Sequence, residues 1–251
     1  MAKTVQLVIP GPSAPFKVRN PFIEDLLHMI FAKQGLSLDL QYASEQLTQG
    51  RALRELNNDG IIDITWSVST KERELSLNAI EIPLYQGFIG WRVFIINKEK
   101  QTAFSNVKKL TQLKELLAVQ RFDWPDYHIF LANDLPVDGS LAFSKMFKAV
   151  ESGLADYFPR SVLEAKRDID SVNSSQLGIE KTILLKYPSS YYFFVGKHNS
   201  DLAQTIEQGF KLVLADGSYQ LLFQQYFGSA LASLNIKQRK VFVLDNPLLV
   251  K

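Results

Sequence analysis

The sequence contains no cysteine, which excludes disulfide bonds, thiolate metal sites and a cysteine nucleophile. This absence leaves the redox compartment open, because a chain without cysteine folds in oxidising and reducing surroundings alike. Histidine is scarce as well: His28, His128 and His198 are far apart, and none shows the His-x-x-x-His spacing of a helical zinc site. A nucleophile elbow, a phosphate-binding Gly-Lys-Ser/Thr loop and a dinucleotide glycine pattern are also missing. The sequence therefore predicts no metal and no cofactor.

Long apolar runs are missing too. No run reaches the roughly 18 residues of a membrane span, and the apolar stretch Val5–Ile9 is too short for a signal peptide. We therefore expect either a cytoplasmic protein or a chain whose export signal has been removed. The charges nearly cancel, at +2, and basic residues occur only in short groups, which argues against a nucleic-acid partner. With 46% hydrophobic residues, the chain has the composition of a folded protein.

Two segments of the chain echo each other. Residues 56–64 read Leu-Asn-Asn-Asp-Gly-Ile-Ile-Asp-Ile, and residues 150–158 read Val-Glu-Ser-Gly-Leu-Ala-Asp-Tyr-Phe. Each pattern predicts a helix that stops at a glycine, which takes positive φ without a steric clash, and a strand that starts near an aspartate, Asp63 or Asp156. The echo predicts two α/β lobes of similar plan, and clefts between lobes commonly bind small molecules.

Strand-like alternation and helical periodicity follow each other along the whole chain, which predicts the α/β class with largely parallel sheets. The predicted elements include a strand over 80–85, a loop over 67–74 and a helix over 161–169. Ligands in open α/β sheets bind beyond the carboxyl ends of the strands. This rule points to four loops, at residues 10–16, 67–73, 123–127 and 159–164.

Several motifs in a consistent order resemble one protein family. Gly-Ile-Ile-Asp at 60–63 is followed by Ser-Thr-Lys-Glu-Arg at 69–73, Ile-Pro-Leu-Tyr-Gln-Gly at 82–87, and Ala-Asp-Gly-Ser-Tyr-Gln at 215–220. This order resembles the type II periplasmic solute-binding proteins of bacterial ABC transporters, in their amino-acid-binding branch, extracellular solute-binding family 3. The resemblance covers nearly the whole chain.

The resemblance implies a two-lobed, periplasmic-binding-protein-like type II fold. Each lobe would be a mixed, mostly parallel sheet flanked by helices, and two crossing hinge strands would join the lobes. Residues 1–87 and 192–251 would form lobe 1, and residues 88–191 would form lobe 2. The expected hinge residues are Gln86, Gly87, Pro188 and Ser189.

In the resembling family, the arginine matching Arg73 grips the α-carboxylate of the ligand. A guanidinium suits this task because it offers a planar, two-pronged donor. The alternative is an arginine paired with Glu72 or Glu74 at a helix start. Ser67 and Ser69 are candidates for further hydroxyl donors, or for simple loop capping.

The second lobe departs from the family pattern. Trp124 and Asp126 stand where the family has small residues at a helix start; Asp126 would repel a carboxylate, and Trp124 either walls the site or fills the core. Ser161 stands where the family has an aspartate that pairs with the ligand ammonium, and Arg160 precedes it. Glu164 is the nearby acid that could compensate, or it forms an ordinary helix pair with Arg160. Two arginines facing one cleft would favour an anionic solute.

Aromatic side chains near these loops are candidates for the walls of the site: Phe16, Tyr42, Trp66, Trp91, Tyr127 and Tyr157.

The resemblance implies a periplasmic, monomeric solute-binding protein rather than an enzyme. It would close around a small polar, carboxylate-bearing molecule, either an amino acid or another organic anion, and deliver it to an ABC permease. The alternative is a ligand sensor that reports to a membrane receptor. A less favoured alternative is a dehydratase-like enzyme that uses Asp126 and Glu164 in the cleft.

Overall fold

The computed structural model describes residues 3–11, 20–58 and 61–249. The chain divides into two compact units. Unit 1 comprises Met1–Tyr85 and Tyr191–Gly228, and unit 2 comprises Gln86–Ser190 and Ser229–Lys251. None of the helices in the described ranges is both long enough and apolar enough to cross a membrane.

Unit 1 alternates strands and helices. Its first two strands pair in parallel with each other. Strand β11 (Tyr191–Val195) lies between its third and fourth strands and runs antiparallel to both. The elements are β1 (Thr4–Ile9), α1 (Pro21–Ala32), β2 (Ser37–Tyr42), α2 (Gln49–Glu55), β3 (Ile64–Val68), α3 (Lys71–Ser76), β4 (Asn78–Ile80), β11 (Tyr191–Val195), α9 (Ser200–Ala215) and the start of α10 (Ser218–Ser233).

Asp63, the residue directly before β3, is hydrogen-bonded to β1. Its N–H donates to the Val8 carbonyl at 2.8 Å, and its carboxylate accepts the Val8 N–H at 2.7 Å. Helix α1 presents a stripe of fully buried apolar side chains at three- and four-residue spacing, as an amphipathic helix on a sheet requires. The members of the stripe are Phe22, Ile23, Leu26, Leu27, Ile30 and Phe31.

Unit 2 contains a larger mixed sheet in the order β12-β10-β5-β8-β6-β7, with β9 also paired to β5. Its elements are β5 (Trp91–Asn97), α4 (Gln101–Ser105), α5 (Leu110–Leu113), β6 (Ala118–Val119), α6 (Pro125–Ala132), β7 (Val137–Asp138), α7 (Phe143–Glu151), β8 (Tyr157–Ser161), α8 (Ala165–Val172), β9 (Leu177–Ile179), β10 (Ile183–Lys186) and β12 (Lys240–Val243).

Both faces of the unit 2 sheet are covered. Because side chains alternate along a strand, Phe94 of β5 joins one apolar cluster and its neighbour Ile95 joins another. Strand β5 runs antiparallel to β8, with Arg92 opposite Ser161. The start of β5 and the end of β8 therefore lie at the same end of the sheet, and the buried Arg92 and Arg160 contact their carboxylates there.

Residues 229–251, which the sequence analysis assigns to lobe 1, lie in unit 2. Strand β12 pairs in parallel with β10, and Leu244 is buried in the unit 2 core. Arg239 anchors this tail, because its guanidinium donates to the carbonyl oxygens of Leu234, Glu180 and Ile183.

Three predicted elements differ from the structure. The strand expected over 80–85 ends at Ile80, and the turn after it is tied to β11 by the Leu84 N–H, which donates to the Tyr191 carbonyl at 2.9 Å. The loop expected over 67–74 contains α3, capped by Thr70. The helix expected over 161–169 begins only at Ala165, because Ser161 pairs with β5 as the last residue of β8.

Candidate functional site

In unit 1, Arg73 lies in the short helix α3, which follows β3. Its backbone N–H donates to the capping hydroxyl of Thr70 at 3.3 Å. Its guanidinium Nη1 donates to the Ser67 hydroxyl at 2.8 Å and to the Val68 carbonyl at 2.6 Å. The short helix α3 and the strand end together hold this cation half-buried at the edge of unit 1.

The two predicted serines of this loop are buried and engaged with the protein. Ser67 accepts the hydrogen bond from Arg73, and the Ser69 hydroxyl donates to the carboxylate of Glu74. They hold the charged groups of the loop in place, and their contact with a ligand stays a prediction. Trp66 is half-buried on β3. Phe16 lies outside the described residues.

In unit 2, Asp126 is buried and paired. Arg92 contacts its Oδ1 through Nη2 at 2.6 Å, and the Tyr187 hydroxyl donates to the same oxygen. Arg92 Nε donates to the Tyr187 hydroxyl at 2.7 Å and so closes a three-membered network. Asp126 therefore presents no free negative charge, and the repulsion expected from the sequence is cancelled inside the unit.

Burial decides the protonation states in this network. Burial raises the pKa of Tyr187 well above its usual value, so the hydroxyl keeps its proton and acts as the donor to Asp126. Burial alone would lower the pKa of Arg92, but Asp126, Tyr187 and Glu164 outweigh it and raise that pKa. Arg92 is consequently a permanent, neutralised cation.

Arg160 is also buried and occupied. Its Nε contacts Asp168 Oδ2 at 2.6 Å, and its Nη2 contacts Glu164 Oε2 at 3.2 Å. Three aromatic rings surround the guanidinium carbon with their centroids 5.2–5.4 Å away, a geometry that favours cation–π attraction. We call these rings, of Trp124, Phe143 and Phe158, the aromatic cage. The charge of Arg160 is thus matched by carboxylates of its own unit, and its contact with a solute stays a prediction.

Glu164 connects the two arginines. Its Oε2 contacts Arg160 and also lies 3.6 Å from Arg92 Nη1. Burial acts to raise its pKa, but Arg160 and Arg92 outweigh that effect and lower the pKa below the ordinary value. Glu164 is thus ionised at neutral pH.

The other predicted residues of unit 2 are placed as follows. Trp124 precedes α6, forms one wall of the aromatic cage and packs, partly buried, against the apolar cluster that contains Ile95 and Phe147. Tyr127 is half-buried in α6, beside the loop that contains Gly139. Ser161 is fully buried; its hydroxyl donates to the Phe88 carbonyl at 3.2 Å and accepts the Leu163 N–H at 3.3 Å.

The predicted hinge residues lie close to two of the three points at which the chain passes between the units. Gln86 and Gly87 both have positive φ, +52° and +78°, a conformation that costs energy for glutamine and none for glycine. Gly90 follows, and a Cβ there would lie 2.1 Å from the Tyr187 carbonyl. The Pro188 carbonyl accepts a hydrogen bond from Asn246 at 2.7 Å. A hinge role for these residues stays a prediction.

The sequence analysis missed Arg92, Tyr187 and Asp168. One signal was available: Arg92 interrupts the apolar run of β5, and a charge in such a strand needs a buried partner. The partners themselves lie far along the chain, so pattern reading gives no means of finding them.

The structure is similar to solved amino-acid-binding proteins. A putative ABC-transporter binding component from Wolinella succinogenes, complexed with lysine, matches with a TM-score of 0.66 at 16% identity, covering 90% of this chain and 97% of that one. A periplasmic binding protein of Salmonella typhimurium with high arginine specificity gives 0.65 at 14% identity, covering 90% and 100%. The GluR0 ligand-binding core from Nostoc punctiforme, in complex with L-glutamate, gives 0.59 at 15% identity, covering 90% and 99%.

At these identities the similarity establishes the fold. The α/β fold of type II periplasmic binding proteins, predicted from the sequence motifs, is confirmed, and the matched structures are binding proteins or ligand-binding cores. The sequence matches no protein-family model and no curated protein.

Proposed function

We propose that this chain is a solute-binding protein that captures a small polar, carboxylate-bearing molecule and delivers it to an ABC transporter. One observation carries the proposal: about nine-tenths of the chain, 90%, shares its fold with proteins solved with amino acids bound. Arg73, in helix α3 and hydrogen-bonded to the last two residues of β3, supplies the charge that such a molecule needs.

Arg73 is the proposed partner of the solute carboxylate. Its guanidinium uses Nη1 for Ser67 and Val68, so the protein fixes its orientation before the solute arrives. A pre-oriented guanidinium loses little side-chain entropy on binding and forms charge-assisted hydrogen bonds. A solute that also contacts unit 2 would favour a closed arrangement of the units, with Gln86, Gly87, Pro188 and Ser189 as the hinge.

A periplasmic location belongs to the same proposal, since delivery to a permease takes place there. A sensor is the second candidate, and it is supported by the similarity to the GluR0 ligand-binding core. The two candidates share the same binding chemistry. A permease and an ATPase encoded beside this chain would favour transport, and a signalling domain in the same chain would favour sensing.

Thermal unfolding in the presence of the L-amino acids and simple organic acids tests the proposal. A solute at about 100 times its dissociation constant adds about 2.7 kcal/mol of stability, which raises Tm by several degrees for a chain of this size. Titration calorimetry then gives the affinity. The absence of any shift across the panel would overturn the proposal.

Two variants separate binding from folding. Arg73→Ala is expected to abolish the solute-induced shift, and Arg73→Lys to retain a small part of it, because lysine keeps the charge without the planar fork. Arg54→Ala, an exposed arginine on α2, is the matched control and should bind as the wild type does. Full affinity in Arg73→Ala would assign that side chain a structural role only.

A further inference from the structure

We infer that helix α10 is a bendable third connection between the two units, with its bending point at Gly228 and Ser229. The third passage of the chain from one unit to the other lies between these two residues, inside α10. The first passage falls in a turn and the second directly before β11, so the third differs from both in being helical. The inference goes beyond the proposed function, because it assigns a mechanical role to a segment that no solute needs to contact.

The part of α10 that precedes Gly228 is fixed to unit 1. The Tyr226 hydroxyl donates to a carboxylate oxygen of Asp25 at 2.5 Å. The ring of Phe227 packs edge-on against that of Phe22, with the centroids 4.9 Å apart. Both partners belong to α1, so α10 is held in unit 1 up to the residue directly before the glycine.

The end of α10 is fixed to unit 2. Leu234 directly follows the helix and is buried, and its carbonyl accepts a hydrogen bond from Arg239 Nε at 2.7 Å. Nη1 of the same arginine donates to the Glu180 carbonyl at 2.5 Å and to the Ile183 carbonyl at 3.0 Å. Since Ile183 begins β10, one buried guanidinium ties the end of α10 to the unit 2 sheet.

The segment between these two anchors is the weakest part of the helix. Gly228 is the one glycine in the sequence of α10, and five of the six residues from 228 to 233 are glycine, serine or alanine. Ser229, Ala232 and Ser233 are exposed. Glycine lowers helix stability, and sharp bends in helices occur at Gly/Ser pairs. The local weak point of α10 therefore coincides with the residue at which the chain leaves unit 1.

The two anchors give this weak point a mechanical consequence. Because both ends of the segment are held, any relative motion of the units must bend or partly unwind α10. The intact helix opposes that motion, and the resistance depends on the residue at position 228. Alanine favours the helical conformation over glycine by about fivefold. The glycine thus sets how far the units move relative to one another.

Three single substitutions change or preserve the stiffness of the segment. Gly228→Ala stiffens it; the added Cβ would lie 2.2 Å from Gln224 Nε2, the end of an exposed side chain that can turn aside. Ser229→Gly loosens it at an exposed position. Gly50→Ala is the matched control, because it makes the same exchange in α2, which lies within unit 1, with no contact closer than 3.7 Å.

Hydrogen exchange shows whether the substitutions act on the helix. Exchange of helical amides reports local opening, so the protection of residues 229–233 is expected to rise by about fivefold in Gly228→Ala and to fall by about twofold in Ser229→Gly. Gly50→Ala should leave these amides as they are in the wild type. Equal protection in the wild type and both α10 variants would overturn the assignment of the bending point.

Electron–electron double resonance then measures the relative motion of the units. Because the chain contains no cysteine, Gln208→Cys in unit 1 and Lys148→Cys in unit 2 place one spin label on an exposed helical position of each unit. The distribution of distances between the labels is expected to be narrower in Gly228→Ala and broader in Ser229→Gly, and to be unchanged in Gly50→Ala. A purely local role of the glycine would change the exchange and leave the three distributions equal, and that result would overturn the inference.

The failures of the two proposals are distinguishable, since neither measurement requires a solute. The absence of binding by every amino acid and organic acid would overturn the proposed function and leave the role of α10 standing. Equal distance distributions would overturn the role of α10 and leave solute binding standing. If Gly228→Ala did not fold, the comparison of Ser229→Gly with the wild type would decide the same question.

Discussion

Asp63 and Asp156 bind the backbone of their own units in the same way. The carboxylate of Asp63 accepts the Val8 N–H at 2.7 Å, and that of Asp156 accepts the Leu117 N–H at 2.7 Å. In both cases the aspartate N–H donates back to the carbonyl of the same partner, at 2.8 Å. The two similar segments therefore form the same pair of reciprocal hydrogen bonds, once in each unit, between an aspartate and the backbone of Val8 or Leu117.

We expect Asp63→Ala and Asp156→Ala each to lower the free energy of unfolding by about 1–3 kcal/mol, because a part-buried N–H loses its acceptor. Asp156→Ala also removes the partner of Lys100, which contacts Asp156 at 2.7 Å. The decrease in the free energy of unfolding should therefore be larger for Asp156→Ala than for Asp63→Ala. Urea unfolding measures both. The asparagine variants keep an acceptor oxygen and are the controls. Alanine variants as stable as the wild type would show that the reciprocal hydrogen bonds contribute nothing to the free energy of unfolding.

Two buried tyrosines of unit 2 are expected to respond oppositely to loss of the hydroxyl. In the part of the chain that the structure describes, the Tyr157 hydroxyl has no hydrogen-bond partner. Tyr157→Phe should therefore leave the free energy of unfolding unchanged or slightly higher. Tyr187→Phe removes a donor to Asp126 and an acceptor of Arg92, and should cost about 1–3 kcal/mol. Thermal and urea unfolding of the pair make the comparison, and equal effects would contradict it.

The aromatic cage predicts a chemical rescue. Arg160→Ala removes a cation from between the rings and leaves Asp168 with a weak, exposed partner, so we expect a loss of about 3 kcal/mol. Free guanidinium ions at low concentration should enter the vacated space and recover part of the lost Tm. Sodium chloride of equal ionic strength is the control for screening, and Arg121→Ala, which removes a partly exposed pair with Asp123, is the control variant. Equal effects of both salts would argue against a cation-binding cage.

Glu164 makes stability depend on pH in one direction. Its pKa is lower in the folded chain than its ordinary value, so its contribution is present above about pH 4.3 and is lost as the pH falls through the folded-state pKa. The difference in unfolding free energy between the wild type and Glu164→Gln should be constant from about pH 7 to about pH 5 and shrink as the pH falls below the ordinary pKa of glutamate toward the lower folded-state pKa. Urea unfolding as a function of pH measures it. A difference that does not change with pH would show that the ion pairs of Glu164 do not stabilise the fold.

Local patterns predicted much of the fold. The aspartate echo, the buried stripe of α1 and the position of Arg73 after β3 depend on residues that are close in sequence, where spacing and turn chemistry determine the conformation. The family resemblance then extended these local observations to the whole chain.

The errors concern long-range pairing. The residues after Ser161 have helical character, but Ser161 itself takes the strand conformation because it pairs with Arg92, 69 positions earlier in the sequence. Within these mixed sheets β5 and β11 run antiparallel to their neighbours, and the local pattern does not indicate which strands do so. Nothing near β12 in sequence indicates that it pairs with β10.

The same limit applies to the site. Arg73, Asp126, Arg160 and Glu164 were identified as candidates from their positions after strands. Their charges could not be balanced from the sequence, because Arg92 and Tyr187 reach Asp126 only in the folded unit. The structure therefore supplies the buried partners that balance these charges.

Strands β11 and β12 lie late in the sequence, which has a consequence for folding during synthesis. Unit 1 lacks the strand that joins β3 to β4 until residue 195 has been made, and unit 2 lacks an edge of its sheet until residue 243. At translation rates of about 5–20 residues per second, the nascent chain spends roughly ten to forty seconds with neither unit complete. Throughout that time both sheets are incomplete, and unit 1 gains its last strand before unit 2 does.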